Sequence, residues 1–176
     1  WLDRFAALLP PGGRVLDIGC GMGKPIASWL IGRGFAVTGI DSAPALITMA
    51  AREFPAARWP AVRWLVADMR NLTRAETFNG LLAWDSFFHL DESDQRSMFA
   101  VFRAHAAPGA ALIFTSGRRA GVAMGTFRGE PLFHASLDPS DYQALLAAEG
   151  FQVIAHVAED AACGGHTVWL AQLMPP

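Results

Sequence analysis

Cysteine is scarce. Cys20 and Cys163 are the two in 176 residues, and no C-x-x-C spacing occurs. That argues against a zinc ribbon or a disulfide framework, and a reducing, cytoplasmic setting is expected. No apolar run approaches the ~18 residues needed to span a bilayer. No secretory leader pattern, internal repeat or low-complexity segment is visible. Excess charge of one sign is also lacking. The net charge is −2, so nothing pulls the chain generally toward nucleic acid. What is present is apolar, at 52% of residues, enough to bury a core and to argue against disorder. The length suits a single domain spanning 1–176. Because the chain opens at Trp1 and not Met, residues missing from its N-terminal end are expected.

The densest signal runs from Val15 to Gly23. An apolar stretch leads into Asp17, and Gly19, Gly21 and Gly23 follow at alternate positions. Pro25 then suits a first helical turn. Strand, glycine turn and helix in this order suit a nucleotide-like ligand: bare backbone permits close approach, and a helix start offers unpaired N–H groups. A P-loop is excluded, because Ile18 stands where its first glycine belongs and Pro25 follows Gly23-Lys24. The dinucleotide fingerprint G-x-G-x-x-G is longer by one residue.

Taken in order, the pattern predicts a short helix over 2–9 and strands at 14–18, 35–40, 64–67, 80–84 and 110–115. Helices are expected at 25–31, after Ser42 as cap, and over 93–105. In the second of these, Leu46, Ile47, Met49 and Ala50 are expected to face inward. Residues 116–137 carry four glycines with Arg118, Arg119 and Arg128, and read as one long irregular loop. A helix capped by Asp138 and closed by Gly150 precedes strands at 151–157 and 167–173, joined as an antiparallel hairpin. Alternating strands and helices imply an α/β fold with a doubly wound sheet, whose ligands bind beyond the strands' carboxyl ends. Asp17, Asp41, Asp68 and Asp85 all fall near such ends. Two readings stand for them: ligand contacts, or caps of the elements that follow.

Asp17-x-Gly19-x-Gly21-x-Gly23 resembles the first motif of class I S-adenosylmethionine-dependent methyltransferases of the bacterial, small-molecule type. Val37 to Ser42 resembles the second motif, Ala67 to Met69 the third, and Phe78 to Leu90 the fourth. Pro108 to Leu112 resembles the approach to strand five. The resemblance spans nearly the whole chain, departing at Asn79 where many members carry Asp. It implies a Rossmann-like, seven-stranded, mostly parallel sheet with an antiparallel last strand. It also implies an enzyme that moves a methyl group from S-adenosylmethionine to a small-molecule acceptor.

The cofactor residues implied by the resemblance are Asp17, Gly19, Cys20, Gly21, Gly23, Asp41, Ser42, Asp68, Met69, Ala83 and Trp84. Asp41 would accept from the ribose hydroxyls and Asp68 from the adenine amino group, while Asp17 would orient the amino end from beneath the loop. Asp85, Phe88 and His134 are expected at the acceptor. His89 is either the general base or a packed ring. Trp84, Phe87 and Phe88 could form an aromatic wall, with core packing the other reading of Phe87. His105 is assigned to a helix surface, and His156 and His166 to the hairpin. No metal is called for. A binding module without transfer activity is one alternative. A nucleic-acid enzyme is another, suggested only by the three arginines and lacking an Asn-Pro-Pro-Tyr motif.

Overall fold

A computed structural model describes residues 1–73, 76–127 and 129–174. Seven strands form one sheet in the order β3-β2-β1-β4-β5-β9-β8. They are β1 (Arg14–Ile18), β2 (Ala36–Asp41), β3 (Arg63–Val66), β4 (Phe78–Ala83), β5 (Ala106–Ser116), β8 (Phe151–Asp160) and β9 (His166–Leu173). β1 to β5 pair in parallel, and β9 enters antiparallel between β5 and β8.

Strand side chains alternate between faces, and both faces here are covered. Leu16, Leu112, Phe114 and Trp169 point to one face, with Met98, Phe99 and Phe102 of α4 (Glu92–His105) and Tyr142 and Leu146 of α5 (Pro139–Ala148). Val15, Ile113 and Leu170 point to the other, with Phe5 of α1 (Leu2–Ala6) and Ala27, Leu30 and Ile31 of α2 (Ile26–Gly32). That two-sided burial is why the strands read as near-continuous apolar runs. His105 belongs to this interior and not to the helix surface: its ring nitrogens meet the carbonyls of Val101 and Thr73 at 2.9 and 3.3 Å.

The core holds one polar knot. The Tyr142 hydroxyl donates to Gln95 Oε1 at 2.6 Å and accepts from Leu137 N at 3.1 Å. Gln95 Nε2 donates to the carbonyls of Leu90 and Ala135. Burial pushes the Tyr142 phenol up to about 12. Tyr142→Phe leaves two buried groups without their partner. It is expected to cost about 1–3 kcal/mol in denaturant unfolding; a loss below ~0.5 kcal/mol would show that water satisfies them instead.

Two expectations are corrected. α3 (Pro44–Glu53) is preceded by Ala43, not capped by Ser42, and Met49 is exposed while Ile47 and Ala50 are buried. Residues 116–137 are not one irregular loop. They contain a two-stranded antiparallel sheet, β6 (Gly121–Phe127) with β7 (Glu130–Ser136). Its apolar residues Val122 and Met124 stay exposed, so no buried face marks it in the sequence. Arg128 lies outside the described residues. β7 rests against the 3₁₀ turn Phe87–His89.

Candidate active site

The carboxyl ends of β1, β2, β3 and β4 open onto a cleft of about 950 Å³, a size suited to a small-molecule site. Gly19, Gly21, Asp41, Ser42, Asp68 and Met69 line one part of it, and Asp85, Phe88, His89 and His134 line another. Ten of the residues singled out in the sequence therefore share one cavity.

The glycine turn is held from two sides. The carbonyl of Ile40 accepts from the N–H groups of Gly19 and Cys20 at 2.8 and 2.9 Å. Asp41 Oδ2 accepts from Gly21 N at 3.0 Å, and its Oδ1 accepts from Ala43 N at 2.9 Å. Ser86 Oγ reaches across from the end of β4 and donates to the Ile18 carbonyl at 2.6 Å. A Cβ on Gly19 would sit 2.2 Å from Ser86 Cβ, and φ there is +77°. Glycine is thus required by both space and conformation.

For Asp41 and Asp68 the capping reading holds. Each caps local backbone, and each lines the cleft. Asp68 caps the 3₁₀ turn Met69–Asn71 through Arg70 N. Its carboxylate also takes the Arg70 guanidinium, at 2.6 Å for the shortest contact. The side-chain and backbone hydrogen bonds from Arg70 hold the Asp68 carboxyl below the usual range.

Asp17, Cys20, Gly23, Ala83 and Trp84 do not line the cleft. Asp17 lies under the turn, 3% exposed. Burial, with the Asp41 charge adding to it, pushes its carboxyl up to about 7. Burial first, and then the charges of Asp17 and Asp41, push the Cys20 thiol up. Its sulfur faces the Gly21 carbonyl and Gly39, which makes it a packing residue. Gly23 faces the Trp64 indole. Ala83 is wholly buried. Trp84 packs into the α1/α2 side, its ring 5.4 Å from that of His166. Of the three proposed wall residues only Phe88 reaches the cavity, and Phe87 is ringed in the core by Phe99, Phe102, Phe114 and Tyr142.

Phe88, His89 and His134 form a triangle of rings with centroids 4.8–4.9 Å apart. His89 Nδ1 lies 2.9 Å from the Phe133 carbonyl oxygen. A carbonyl only accepts, so Nδ1 carries the hydrogen and a neutral ring leaves Nε2 as the basic atom. Burial, and then the neighbouring His89, lower the His134 pKa.

Among the polar cleft residues that sequence reasoning missed are Arg70, Ser86, Ser116, His166 and Thr167. The last two had a legible signal. An antiparallel last strand begins where its parallel neighbours end, so its first residues fall at the ligand edge.

A methyltransferase domain family matches residues 15–109. The chain belongs to that family. This methyltransferase domain is 36% identical over 73 residues, or 42% of the chain, to the putative methyltransferase YqeM of Bacillus subtilis (strain 168), and the match spans 28% of that relative's length. Its fold is that of S-adenosylmethionine-dependent methyltransferases. The glycopeptide N-methyltransferase MtfA complexed with S-adenosylmethionine superposes with a TM-score of 0.76 at 20% identity, covering 99% of this chain and 92% of that one. An S-adenosylmethionine-bound amino pentose methyltransferase from Micromonospora echinaspora gives 0.75 at 21% identity, covering 98% and 88%. The Burkholderia thailandensis 1,6-didemethyltoxoflavin-N1-methyltransferase, with bound 1,6-didemethyltoxoflavin and S-adenosylhomocysteine, gives 0.77 at 20%, covering 98% and 76%.

Proposed function

We propose that this methyltransferase domain binds S-adenosylmethionine in the strand-tip cleft and transfers its methyl group to a small-molecule acceptor. The observation that carries the reading is the convergence of a bare, twice-anchored glycine turn with two carboxylates from the adjacent strand ends. The residues fit the ligand. Each Asp41 oxygen accepts one backbone N–H, and a carboxylate has about four acceptor positions, so two remain for ribose hydroxyls. Asp68 and Met69 would meet the adenine, and Ser42 the ribose edge. When bound, the cofactor supplies a methyl carbon on a sulfonium; the acceptor's lone pair bonds to that carbon as the carbon–sulfur bond breaks, its electrons staying on sulfur. The chain's own task is to align the two partners and exclude water, an effect worth up to ~7–11 kcal/mol. His89 Nε2, or the neutral ring of His134, takes a proton from an acceptor that must lose one. The solved neighbours named above act on glycopeptide, amino pentose and toxoflavin-precursor acceptors, which favours a small molecule here.

Calorimetric titration with S-adenosylhomocysteine and labelled-methyl turnover test the reading. Binding with release of methyl to a small molecule is expected, and a folded sample that binds neither cofactor nor product would end it. Arg70 competes for Asp68 in this arrangement. Arg70→Ala is therefore expected to tighten S-adenosylhomocysteine binding a few-fold; an unchanged or weaker affinity would remove Arg70 as a competitor. Free Cys20 and Cys163 suit a reducing compartment such as the cytoplasm. Among the described residues no helix is long and apolar enough to cross a membrane.

A further inference from the structure

His166 lines the cleft and lies outside the set of adenosyl contacts proposed above. It is the first residue of β9, beside the ends of β4 and β5. Its Nε2 lies 3.0 Å from Asp85 Oδ2, and its Nδ1 lies 2.6 Å from the Cys163 carbonyl oxygen. A carboxylate and a carbonyl oxygen are acceptors, so both ring nitrogens are placed to donate, as they do in an imidazolium. The direction of its pKa agrees: burial lowers it, but the Cys163 carbonyl and the Asp85 carboxylate together raise it above the ordinary value. Trp84 faces the ring at 5.4 Å, and the Asp160 carboxylate, opposite on β8, is engaged by Trp1 Nε1 and Ala162 N.

Asp85 is fixed from further directions. Its φ is +49°, a region that side chains other than glycine rarely occupy. Its N–H donates to Thr115 Oγ1 at 2.8 Å, and that hydroxyl lies 3.2 Å from Asp85 Oδ1 and donates to it. The ends of β4, β5 and β9 thus converge on one carboxylate. It lines the cleft with Phe88 and His89, and its charge acts on the His134 ring from across it. Unusual backbone held by surrounding bonds is characteristic of ligand-contacting positions.

We propose that His166 is the positioning residue for Asp85, and that Asp85, so held, accepts a hydrogen bond from the reacting atom of the methyl acceptor, which is a proton-bearing nitrogen or oxygen. The inference rests on the cleft being a methyl-transfer site. A thiolate or halide brings no proton to Asp85 and is repelled by it. A nitrogen or oxygen donates its hydrogen to Asp85 while its lone pair forms the bond to the methyl carbon. The carbon–sulfur pair leaves on sulfur, and the surplus proton passes to His89 Nε2 or to the His134 ring.

The test uses the full chain in two arms. Long-range proton–nitrogen NMR should show both His166 ring nitrogens protonated at pH 7, and a neutral ring there in Asp85→Asn. Labelled-methyl turnover is measured with aniline, phenol, thiophenol and iodide as probe acceptors, with S-adenosylhomocysteine calorimetry beside it. Transfer to aniline or phenol is expected, falling about 100-fold in Asp85→Asn and about tenfold in His166→Ala. His166→Gln keeps a donor for Asp85 and should recover to within about threefold of the unmutated rate. Cofactor-product affinity should be unchanged in all three variants. Transfer to thiophenol or iodide that Asp85→Asn leaves intact would overturn the acceptor class. A His166→Gln variant as slow as His166→Ala, or a neutral ring at pH 7, would overturn the positioning role. Loss of calorimetric binding in the unmutated chain would refute the methyl-transfer reading and not this pairing.

Discussion

Asp17→Asn is expected to make the ligand-free protein more stable, by an amount that grows as pH rises from 4 to about 7.5 and then levels off. The Asp17 carboxyl is wholly buried, and its pKa is raised from the ordinary 3.8 to about 7 by burial and by the Asp41 charge. The folded state therefore holds a proton between pH 4 and 7 that the unfolded state has released. Where the folded state binds more protons, stability falls as pH rises. Above about 7 the protein carries an ionised carboxylate in a dry place, at a cost on the order of 4 kcal/mol. Asparagine removes that cost. At pH 8 the variant's melting temperature is expected to exceed the unmutated one by roughly 5 °C or more, shrinking to within ~2 °C at pH 4. An equal difference at both pH values would show that Asp17 is not held protonated. In the proposed function the same carboxyl, beneath the glycine turn, ionises when a cationic amino group is bound above it. Binding of S-adenosylhomocysteine at pH 7 should then release protons, seen as a buffer-dependent calorimetric heat that Asp17→Asn abolishes.

Gly19→Ala is expected to lower S-adenosylhomocysteine affinity about 100-fold or more, with little change in circular dichroism. The added methyl would sit 2.2 Å from Ser86 Cβ, in a backbone held at φ +77°. The turn and the end of β4 cannot both keep their places, and Ser86 Oγ would lose the Ile18 carbonyl. Gly21 supplies the comparison. Its φ is +55°, but nothing stands within 4 Å of a Cβ there. Gly21→Ala thus carries only the left-handed strain of about 1–2 kcal/mol, roughly a tenfold effect. Joining Gly19→Ala to Ser86→Gly should recover part of the loss, because the clash is removed while the strain remains. Equal effects at Gly19 and Gly21 would mean that strain alone, and not the Ser86 contact, requires the first glycine.

Much of this molecule was legible in its residues. Arg14–Ile18 reads as a strand because Val15, Leu16 and Ile18 are apolar and the glycines that stop it are unmistakable. The seven-stranded sheet and its antiparallel insertion are what the family resemblance implies, and the structure has both. The hairpin of β6 and β7 escaped because strand reading depends on an apolar face that is buried. Here the apolar Val122 and Met124 face solvent, and glycines interrupt the alternation. Trp84 illustrates a second limit. It follows β4 directly, yet successive residues point to opposite faces, and its turn delivers Phe88 to the cleft while Trp84 packs behind the sheet. Neither outcome depends on composition.

By itself the sequence determined where the strands of the large sheet lie, though not each of their ends, the bare turn between β1 and α2, and which acids stand at the carboxyl edge, because these are local matters of backbone freedom and apolar spacing. Only the tertiary structure decided which side chains share the cavity. Asp85 and His166 are 81 residues apart and meet because β9 is threaded back beside β5. Asp17 is two residues from Gly19, yet it lies under the turn and not in the cleft, because the pleat turns it inward. Pairing partners and facing directions are set by long-range packing, and no short window of residues contains them.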